Sequence, residues 1–140
     1  MKRQNVLNKK KKKKGFTLIE LIIVMAIMAI LALIAIPKFL GYKETANKNS
    51  DKLSARTIGN AAQTVFVEVG TGFTATIDAT AVETNADKIE ALLQTIPVGK
   101  QSGYKNCKFK AVVKDTGDVK VYLVPASGSD LLLYNSTATN

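Results

Sequence analysis

Residues 15–36 read GFTLIELIIVMAIMAILALIAI, and from Leu18 to Ile36 the only polar side chain is that of Glu20. A helix of about 20 apolar residues crosses a hydrocarbon core of about 30 Å, so this stretch is long enough to span a membrane. A carboxylate in lipid costs about 2.5–3.5 kcal/mol on insertion scales and normally has a partner there. The stretch therefore predicts a membrane helix in which Glu20 has a function.

The basic residues are concentrated before this helix. The chain has 20 lysines and arginines against 11 acidic residues. Eight of the basic residues precede Gly15 and every acidic residue follows it, so the rest of the chain is nearly neutral. Positive charge directly before an apolar segment favours an N-terminus inside the cell and everything after the span outside. The alternative, an arm that binds nucleic acid or anionic lipid, explains the charge but not its position beside the span.

The residues that most enzymes and metal sites need are scarce. The chain has no histidine, which is the commonest general base and the commonest metal ligand. Cys107 is its one cysteine, so no disulfide can form within this sequence. No nucleophile–base pair, phosphate-binding loop or cluster of metal ligands is recognisable. We therefore expect neither an enzyme nor a bound cofactor.

The residues around Gly15 resemble a known processing signal. Residues 14–21, KGFTLIEL, combine a glycine–aromatic step, a glutamate five residues after that glycine and an unbroken apolar run. This combination is similar to the signature of type IV prepilins and the related pseudopilins. The resemblance implies that a membrane peptidase cuts between Gly15 and Phe16, and that Phe16 becomes the N-methylated terminus. It also implies that Glu20 is the buried glutamate that the family uses for filament assembly.

Cleavage would change the surroundings of Glu20. It would remove residues 1–15, the basic leader, and create an ammonium group at Phe16. That ammonium is the natural counter-charge for the carboxylate, either within one helix or between neighbouring subunits. Pairing between subunits would fix their axial register, which apolar contacts in lipid do not, so we favour it. The alternative is a carboxylate that lies solvated in the membrane interface without a role.

Two further features of the span concern its contacts and its shape. Small side chains recur at every third position, which lets helices approach closely in lipid: Ala26, Ala29, Ala32 and Ala35. The alternative is that these alanines only fill a lipid-soluble anchor. Pro37 lacks the amide that would bond to the Leu33 carbonyl, and Gly41 adds a second weak point. We therefore expect a helix kink at Pro37 and Gly41.

An amphipathic half extends the helix. Apolar residues recur on one of its faces, namely Ala55, Ile58, Ala62, Val65 and Val69. Charged residues are expected on the other faces, namely Lys48, Asp51, Lys52 and Arg56. Gly70 and Gly72 end the pattern. The prediction is one helix over residues 16–69, with residues 16–40 as its transmembrane and assembly half.

Residues 70–140 are expected to form a globular head. Residues 71–84 are rich in threonine and alanine and are interpreted as an irregular connection. The apolar spacing up to Ile96 predicts a short helix that Pro97 ends, and Thr84 followed by Asp87 resembles a capping box at its start. Alternating apolar residues predict strands over 107–113 and 119–124, with a third over 131–134. The predicted fold class is therefore α+β, a long N-terminal helix packed on an antiparallel sheet of about three strands.

Other candidate sites in the head have simpler interpretations. Four lysines form either a basic patch for an acidic partner or, as we favour, the solvated face of the sheet: Lys108, Lys110, Lys114 and Lys120. Asp115 and Asp118 supply too few oxygens for calcium, which takes about 6–8. Cys107 alternates with predicted core residues, so we expect an inert thiol.

The resemblance implies a structural function. The chain is expected to be the subunit of a type IV pilus, a homopolymer assembled through N-terminal helices into a surface filament for adhesion, motility or aggregation. The alternative is a pseudopilin of a type II secretion or DNA-uptake machine. The implied partners are further copies of the chain, a prepilin peptidase and methyltransferase, a pilus assembly platform, and membrane lipid before assembly, but not nucleic acid. The implied location is the inner membrane, N-terminus inside, before assembly and the cell surface afterwards.

Overall fold

A computed structural model describes residues 15–78 and 84–137. Residues 1–14, which make up almost all of the predicted leader, lie outside the described residues. The elements in chain order are α1 (Leu18–Val69), β1 (Phe73–Ile77), α2 (Thr84–Leu92), β2 (Lys108–Val113), β3 (Val119–Val124) and β4 (Leu131–Asn135). The chain divides into two units, Met1–Phe39 and Leu40–Asn140.

In the first unit, the N-terminal part of α1 exposes its apolar side chains. Every large apolar side chain from Leu18 to Phe39 is at least 52% exposed. By length and composition alone, α1 is the one helix of the described residues that is suited to crossing a membrane. Exposed apolar surface of this extent marks a contact with lipid or with another protein. Helix α1 begins at Leu18, two residues later than predicted.

The second unit contains an antiparallel sheet of four strands. The strands lie in the order β1-β2-β3-β4, so strands that are consecutive in the chain are neighbours in the sheet. Ala111 of β2 lies between Ala75 of β1 and Val121 of β3. The α+β fold class is therefore confirmed, with one strand more than expected. The three predicted strands correspond to β2, β3 and β4.

The additional strand corrects the interpretation of residues 71–84 as an irregular connection. Residues Phe73–Ile77 form β1 and pair with β2. Ala75 and Ile77 are buried, whereas Thr74 and Thr76 point to the other side of the sheet. Threonine is β-branched and favours strands, so this short alternation is typical of a half-buried strand. The apolar alternation is weak because a small alanine takes the middle one of its three inward positions, Phe73, Ala75 and Ile77.

One apolar core joins α1 to the sheet. Helix α1 contributes the predicted face, of which Ala55, Ile58, Ala62 and Val65 are buried. The sheet contributes alternating residues of β2 and β3, namely Phe109, Ala111, Val113, Val119, Val121 and Leu123. Burying a side chain such as Ile58 or Phe109 stabilises the fold by about 1.5–3 kcal/mol. The predicted helix stripe and strand alternation therefore meet in the core.

Helix α2 begins at the predicted capping box and ends earlier than predicted. It spans Thr84–Leu92, and the Leu93 amide donates to the Glu90 carbonyl at 3.0 Å in a closing turn. Leu93 and Ile96 still pack against the core. Their spacing therefore indicated correctly that both side chains are buried, but the backbone at these residues is not helical. Pro97 disfavours helical backbone at the residue before it, which is consistent with an earlier end to the helix. Helix α2 thus begins at Thr84, as predicted, and ends at Leu92, before the predicted end at Pro97.

Helix α1 approaches β4 closely at Gly59. A Cβ atom built on Gly59 would lie 2.4 Å from Cε1 of Tyr134 and 2.6 Å from its Cδ1. These distances are too short for any side chain at this position unless the Tyr134 ring moves. Gly59 therefore allows the tyrosine ring to lie against the helix backbone.

Candidate processing and assembly site

The predicted scissile bond lies immediately before α1. Gly15 and Phe16 precede the first helical residue, Leu18, and Phe16 is 92% exposed. A Cβ atom built on Gly15 would meet nothing within 4 Å among the described residues. A protease must approach the backbone, and this bond is outside the helix with open space beside it. The placement supports the cleavage prediction without testing it.

Thr17 and Glu20 form a reciprocal cap at the start of α1. The Thr17 amide donates to Oε2 of Glu20 at 2.8 Å, and the Thr17 hydroxyl donates to the same oxygen at 2.9 Å. The Glu20 amide donates back to the Thr17 hydroxyl oxygen at 3.3 Å. This is a capping box, which satisfies amides that a helix start otherwise leaves unpaired. The pattern T-x-x-E at residues 17–20 carries this signal, and our sequence reasoning missed it.

The capping box leaves part of the Glu20 carboxylate available. Both bonds from Thr17 converge on Oε2, and within the described residues Oε1 accepts no hydrogen bond. Thr17 and Glu20 both follow the predicted cleavage bond, so the capping box would persist in the mature chain. The structure does not bring Glu20 into a hydrogen bond with Phe16. The pairing of Glu20 with an N-terminal amine stays a prediction.

The predicted weak points of the helix are both enclosed in α1. Pro37 lies inside the helix, and Gly41 follows one turn later. The Thr45 hydroxyl donates to the Gly41 carbonyl at 3.1 Å, a bond from a side chain back to the helix. Among the described residues, a Cβ atom on Gly41 would meet nothing within 4 Å. The kink at these residues stays a prediction.

Asp51 is a buried anchor, not the exposed charge that the sequence predicted. Its side chain is fully buried on α1. The Lys100 amide donates to both carboxylate oxygens, at 2.9 and 3.0 Å, and the Gln101 amide donates to Oδ2 at 2.9 Å. Amide donors compensate the cost of burying a carboxylate, which would otherwise be several kcal/mol. Asp51 therefore holds the loop before β2 on the helix.

A second carboxylate on α1 holds the same loop. The Ser102 amide donates to the two oxygens of Glu44 at 2.9 and 3.1 Å. The Lys100 ammonium donates to the Ser50 hydroxyl oxygen at 3.0 Å. We call these bonds, together with those of Asp51, the carboxylate clamp. They fix residues 100–102 against the segment of α1 that begins the second unit.

The sequence contained one signal for the buried position of Asp51. Ala55, Ile58 and Ala62 follow it at i+4, i+7 and i+11, so Asp51 lies on the same helix face as the core residues. The neighbouring Lys48, Lys52 and Arg56 are exposed, as predicted. A carboxylate in line with an apolar stripe indicates a buried polar contact. The wrong prediction followed from grouping Asp51 with the charges beside it.

The lysines of the sheet are partly paired. Lys108 forms an ion pair with Asp78, and Lys110 forms one with Asp130. The Lys110 ammonium also lies 5.6 Å from the centre of the Tyr122 ring. Lys114 is exposed and Lys120 is half-buried. Lys108, Lys110 and Lys120 thus lie on the outward face of the two central strands, where acidic partners pair with the first two.

The acidic turn and the cysteine have local contacts. The Gly72 amide donates to Oδ1 of Asp115 at 2.7 Å, and the Thr116 hydroxyl donates to Asp118 at 2.9 Å. In the part of the chain that the structure describes, no group of three or more histidines, cysteines or acids could hold a metal ion. Cys107 is half-buried against the core.

Comparison with known proteins adds one match. Residues 10–36 match the family model of the prokaryotic N-terminal methylation motif. The matched residues include the predicted scissile bond, the capping box and most of the exposed apolar segment. No curated protein and no solved structure matches the chain.

Proposed function

We propose that this chain, which carries the methylation motif that is the hallmark of type IV pilins and pseudopilins, is the structural subunit of a type IV pilus. The observation that carries this proposal is the combination of that motif with a helix whose large apolar side chains, from Leu18 to Phe39, are all exposed. Such a surface needs lipid before assembly and helices of other copies afterwards. The motif belongs to structural proteins, and we propose no enzymatic activity.

Processing prepares the subunit for assembly. The basic residues before Gly15 hold the N-terminus inside while the head crosses to the outside. A prepilin peptidase then cuts between Gly15 and Phe16 and methylates the amine of Phe16. The cut removes eight positive charges, after which the chain can leave the membrane surface that those charges hold it to.

Glu20 then provides the register of assembly. Its Oε2 accepts the bonds of the capping box, and its Oε1 can accept the N-terminal ammonium of the adjacent subunit. Each arriving subunit thereby pairs a charge that is costly to leave alone in lipid. Head-to-tail contacts that do not close into a ring generate a filament.

The motif is shared by pseudopilins of type II secretion and DNA-uptake machines. One observation favours the pilin: Asp130, the single acid of the loop 125–130, is paired with Lys110 in the sheet. This loop therefore offers no free carboxylate for the calcium site that secretion pseudopilins often carry there. The two functions differ in their product, a long surface fibre or a short piston.

The test is a direct examination of surface filaments. Material sheared from cells that produce the chain is imaged by electron microscopy with an antibody to residues 70–140, and its subunit is sequenced from the N-terminus. We expect labelled long fibres whose subunit begins with N-methylated Phe16. A subunit that begins at Met1 or beyond Ile36 would overturn the family, and correctly processed subunits without long fibres would indicate the pseudopilin.

A further inference from the structure

Strand β4 has one edge with which no other described strand pairs. It lies at one end of the sheet beside β3, whereas β1, at the opposite end, contacts α2. An unpaired edge offers a row of backbone amides and carbonyls to any extended chain, and proteins normally guard it with charged residues or proline. Strand β4, Leu131–Asn135, reads LLLYN and contains neither. This edge is therefore open to a further strand.

Three basic side chains follow the side of α1 that lies next to β4. Because Tyr134 of β4 lies against Gly59, the line along the helix through Gly59 faces this edge of the sheet. At about 100° per residue, Lys48 and Lys52 lie about 20° from that line and Arg56 about 60°. All three are exposed, and among the described residues none of them forms an ion pair. We call these three residues the basic ridge.

The acidic residues of α1 in the second unit are engaged elsewhere. Glu44 and Asp51 accept the loop amides of the carboxylate clamp. Glu68 forms an ion pair with Lys88 of α2. The basic ridge therefore presents unpaired positive charge beside an uncharged edge strand.

The basic ridge determines which kind of strand the edge accepts. If the β4 edges of two copies paired as antiparallel strands, a two-fold axis would place both ridges on the same face of the joined sheet. Three positive charges from each copy would then face each other, and like charges across an interface are unfavourable. A partner strand with carboxylates on that face would instead be attracted. The edge is thus suited to an acidic partner and not to a second copy.

We propose that the β4 edge and the basic ridge bind an extended acidic segment of another protein, which adds a strand to the sheet. Alternate side chains of the added strand face α1, and three of them span about 14 Å. The basic ridge from Lys48 to Arg56 spans about 12 Å, so three alternate carboxylates match it in length. Backbone bonds to β4 supply affinity, and the carboxylates supply selectivity. The inference stands apart from the proposed pilus function, because the surface includes no part of the apolar segment Leu18–Phe39.

Peptide binding tests the contribution of the strand edge. The full chain in non-ionic detergent micelles is titrated with a fluorescent, capped peptide in which three glutamates alternate with valines, and fluorescence anisotropy follows binding. We expect a Kd below about 1 mM, at least about tenfold tighter than for the same peptide with its backbone amides N-methylated. The lysines before Gly15 attract both peptides equally, so the difference between them measures strand pairing. Hydrogen exchange measured by mass spectrometry should show that the first peptide newly protects the amides of residues 131–135.

Charge reversal tests the contribution of the basic ridge. Lys52→Glu combined with Arg56→Glu should weaken binding of the glutamate peptide at least about tenfold. The same variant should bind the matching lysine peptide more tightly than the natural chain does. The control combines Lys43→Glu, on the opposite side of α1, with Lys114→Glu after β2, and both of these lysines are exposed. It makes the same change in net charge and should stay within about threefold of the natural chain.

Three results would each overturn the proposal. They are equal binding of the N-methylated peptide, new protection only outside residues 131–135, and unchanged binding after reversal of the basic ridge. The first would indicate a surface that attracts any anionic polymer by charge alone. Circular dichroism of all variants should match that of the natural chain, so that a loss of binding reports the surface and not the fold.

Discussion

At the scale of single residues, Glu20 has one observed role and one proposed role. Its Oε2 completes the capping box with Thr17, which favours the start of α1. In the proposed filament, its negative charge pairs with the ammonium group of another subunit. A cap is worth about 0.5–2 kcal/mol, whereas stranding one member of a buried ion pair costs about 3–5 kcal/mol. We therefore expect the charge, more than the cap, to control assembly.

We expect Glu20→Ala to abolish filaments or reduce them strongly. Glu20→Gln should do the same, although glutamine can still complete a capping box, because the negative charge is gone. Cleavage after Gly15 and membrane insertion should be intact, and insertion should be easier without the carboxylate. The measurement is the yield of sheared filaments beside the precursor and mature bands of the membrane fraction.

The matched control is Thr17→Val, which removes the cap and keeps the charge. Its filaments should persist, because only the local stability of the first turn is lost. Filaments from Glu20→Gln at the natural yield would assign the role of Glu20 to the cap. Uncut precursor in Glu20→Ala would instead assign it to recognition by the peptidase.

Residues whose partners lie nearby in the chain could be predicted, and residues whose partners are distant could not. The capping box joins residues three apart and is readable from T-x-x-E. The clamp joins Asp51 to residues 49 and 50 positions away, which no local pattern encodes. Gly59 is likewise explained only by Tyr134 of β4. Local capping follows from local sequence, whereas these contacts depend on the complete fold.

At the scale of elements, the approach of α1 to β4 depends on the missing side chain of Gly59. We expect Gly59→Ala to lower the free energy of unfolding by about 1–3 kcal/mol, because the Tyr134 ring must move. Gly41→Ala is the matched control on the same helix and should raise stability by about 0.5–1 kcal/mol, since its Cβ meets open space. Thermal unfolding of the full chain in detergent micelles, followed by circular dichroism, measures both.

The contribution of the tyrosine ring is checked by a second substitution. Tyr134→Leu in the Gly59→Ala background should recover part of the lost stability, because the smaller side chain leaves room for the new methyl group. Equal stability of Gly59→Ala and Gly41→Ala would contradict the close contact between α1 and β4.

Elements in which apolar residues recur with a regular period were predicted well, and elements in which that period is weak were not. Strands β2 and β3 alternate buried and outward residues along their whole length, and they were found within one residue of their predicted ends. Strand β1 is short and has alanine inside, so its period of two was weak. The predicted end of α2 was wrong because Leu93 and Ile96 pack on the core although they follow the helix in irregular backbone. Apolar spacing reports burial, and burial alone does not define a helix.

At the scale of the whole molecule, we expect residues 42–140 to form a soluble monomer with mixed helix and strand content. This piece keeps the core shared by α1 and the sheet, together with both acids of the carboxylate clamp. It loses the exposed apolar segment that ends at Phe39. Size-exclusion chromatography and circular dichroism provide the measurement.

The full chain in detergent is the reference for this piece. The two should show the same protection of the head against protease. An insoluble or unfolded product would contradict the expectation and would show that the head needs residues before 42, or neighbouring subunits, to fold.

The carboxylate clamp has a consequence for the energetics of association. Ordering one residue of a free loop costs about 1–2 kcal/mol of conformational entropy, and each long side chain that a partner immobilises adds about 0.5–1.5 kcal/mol. In this head, residues 100–102 are already bonded to Asp51 and Glu44 of α1. Their entropy is lost when the head folds, so a partner that contacts this loop does not have to order it.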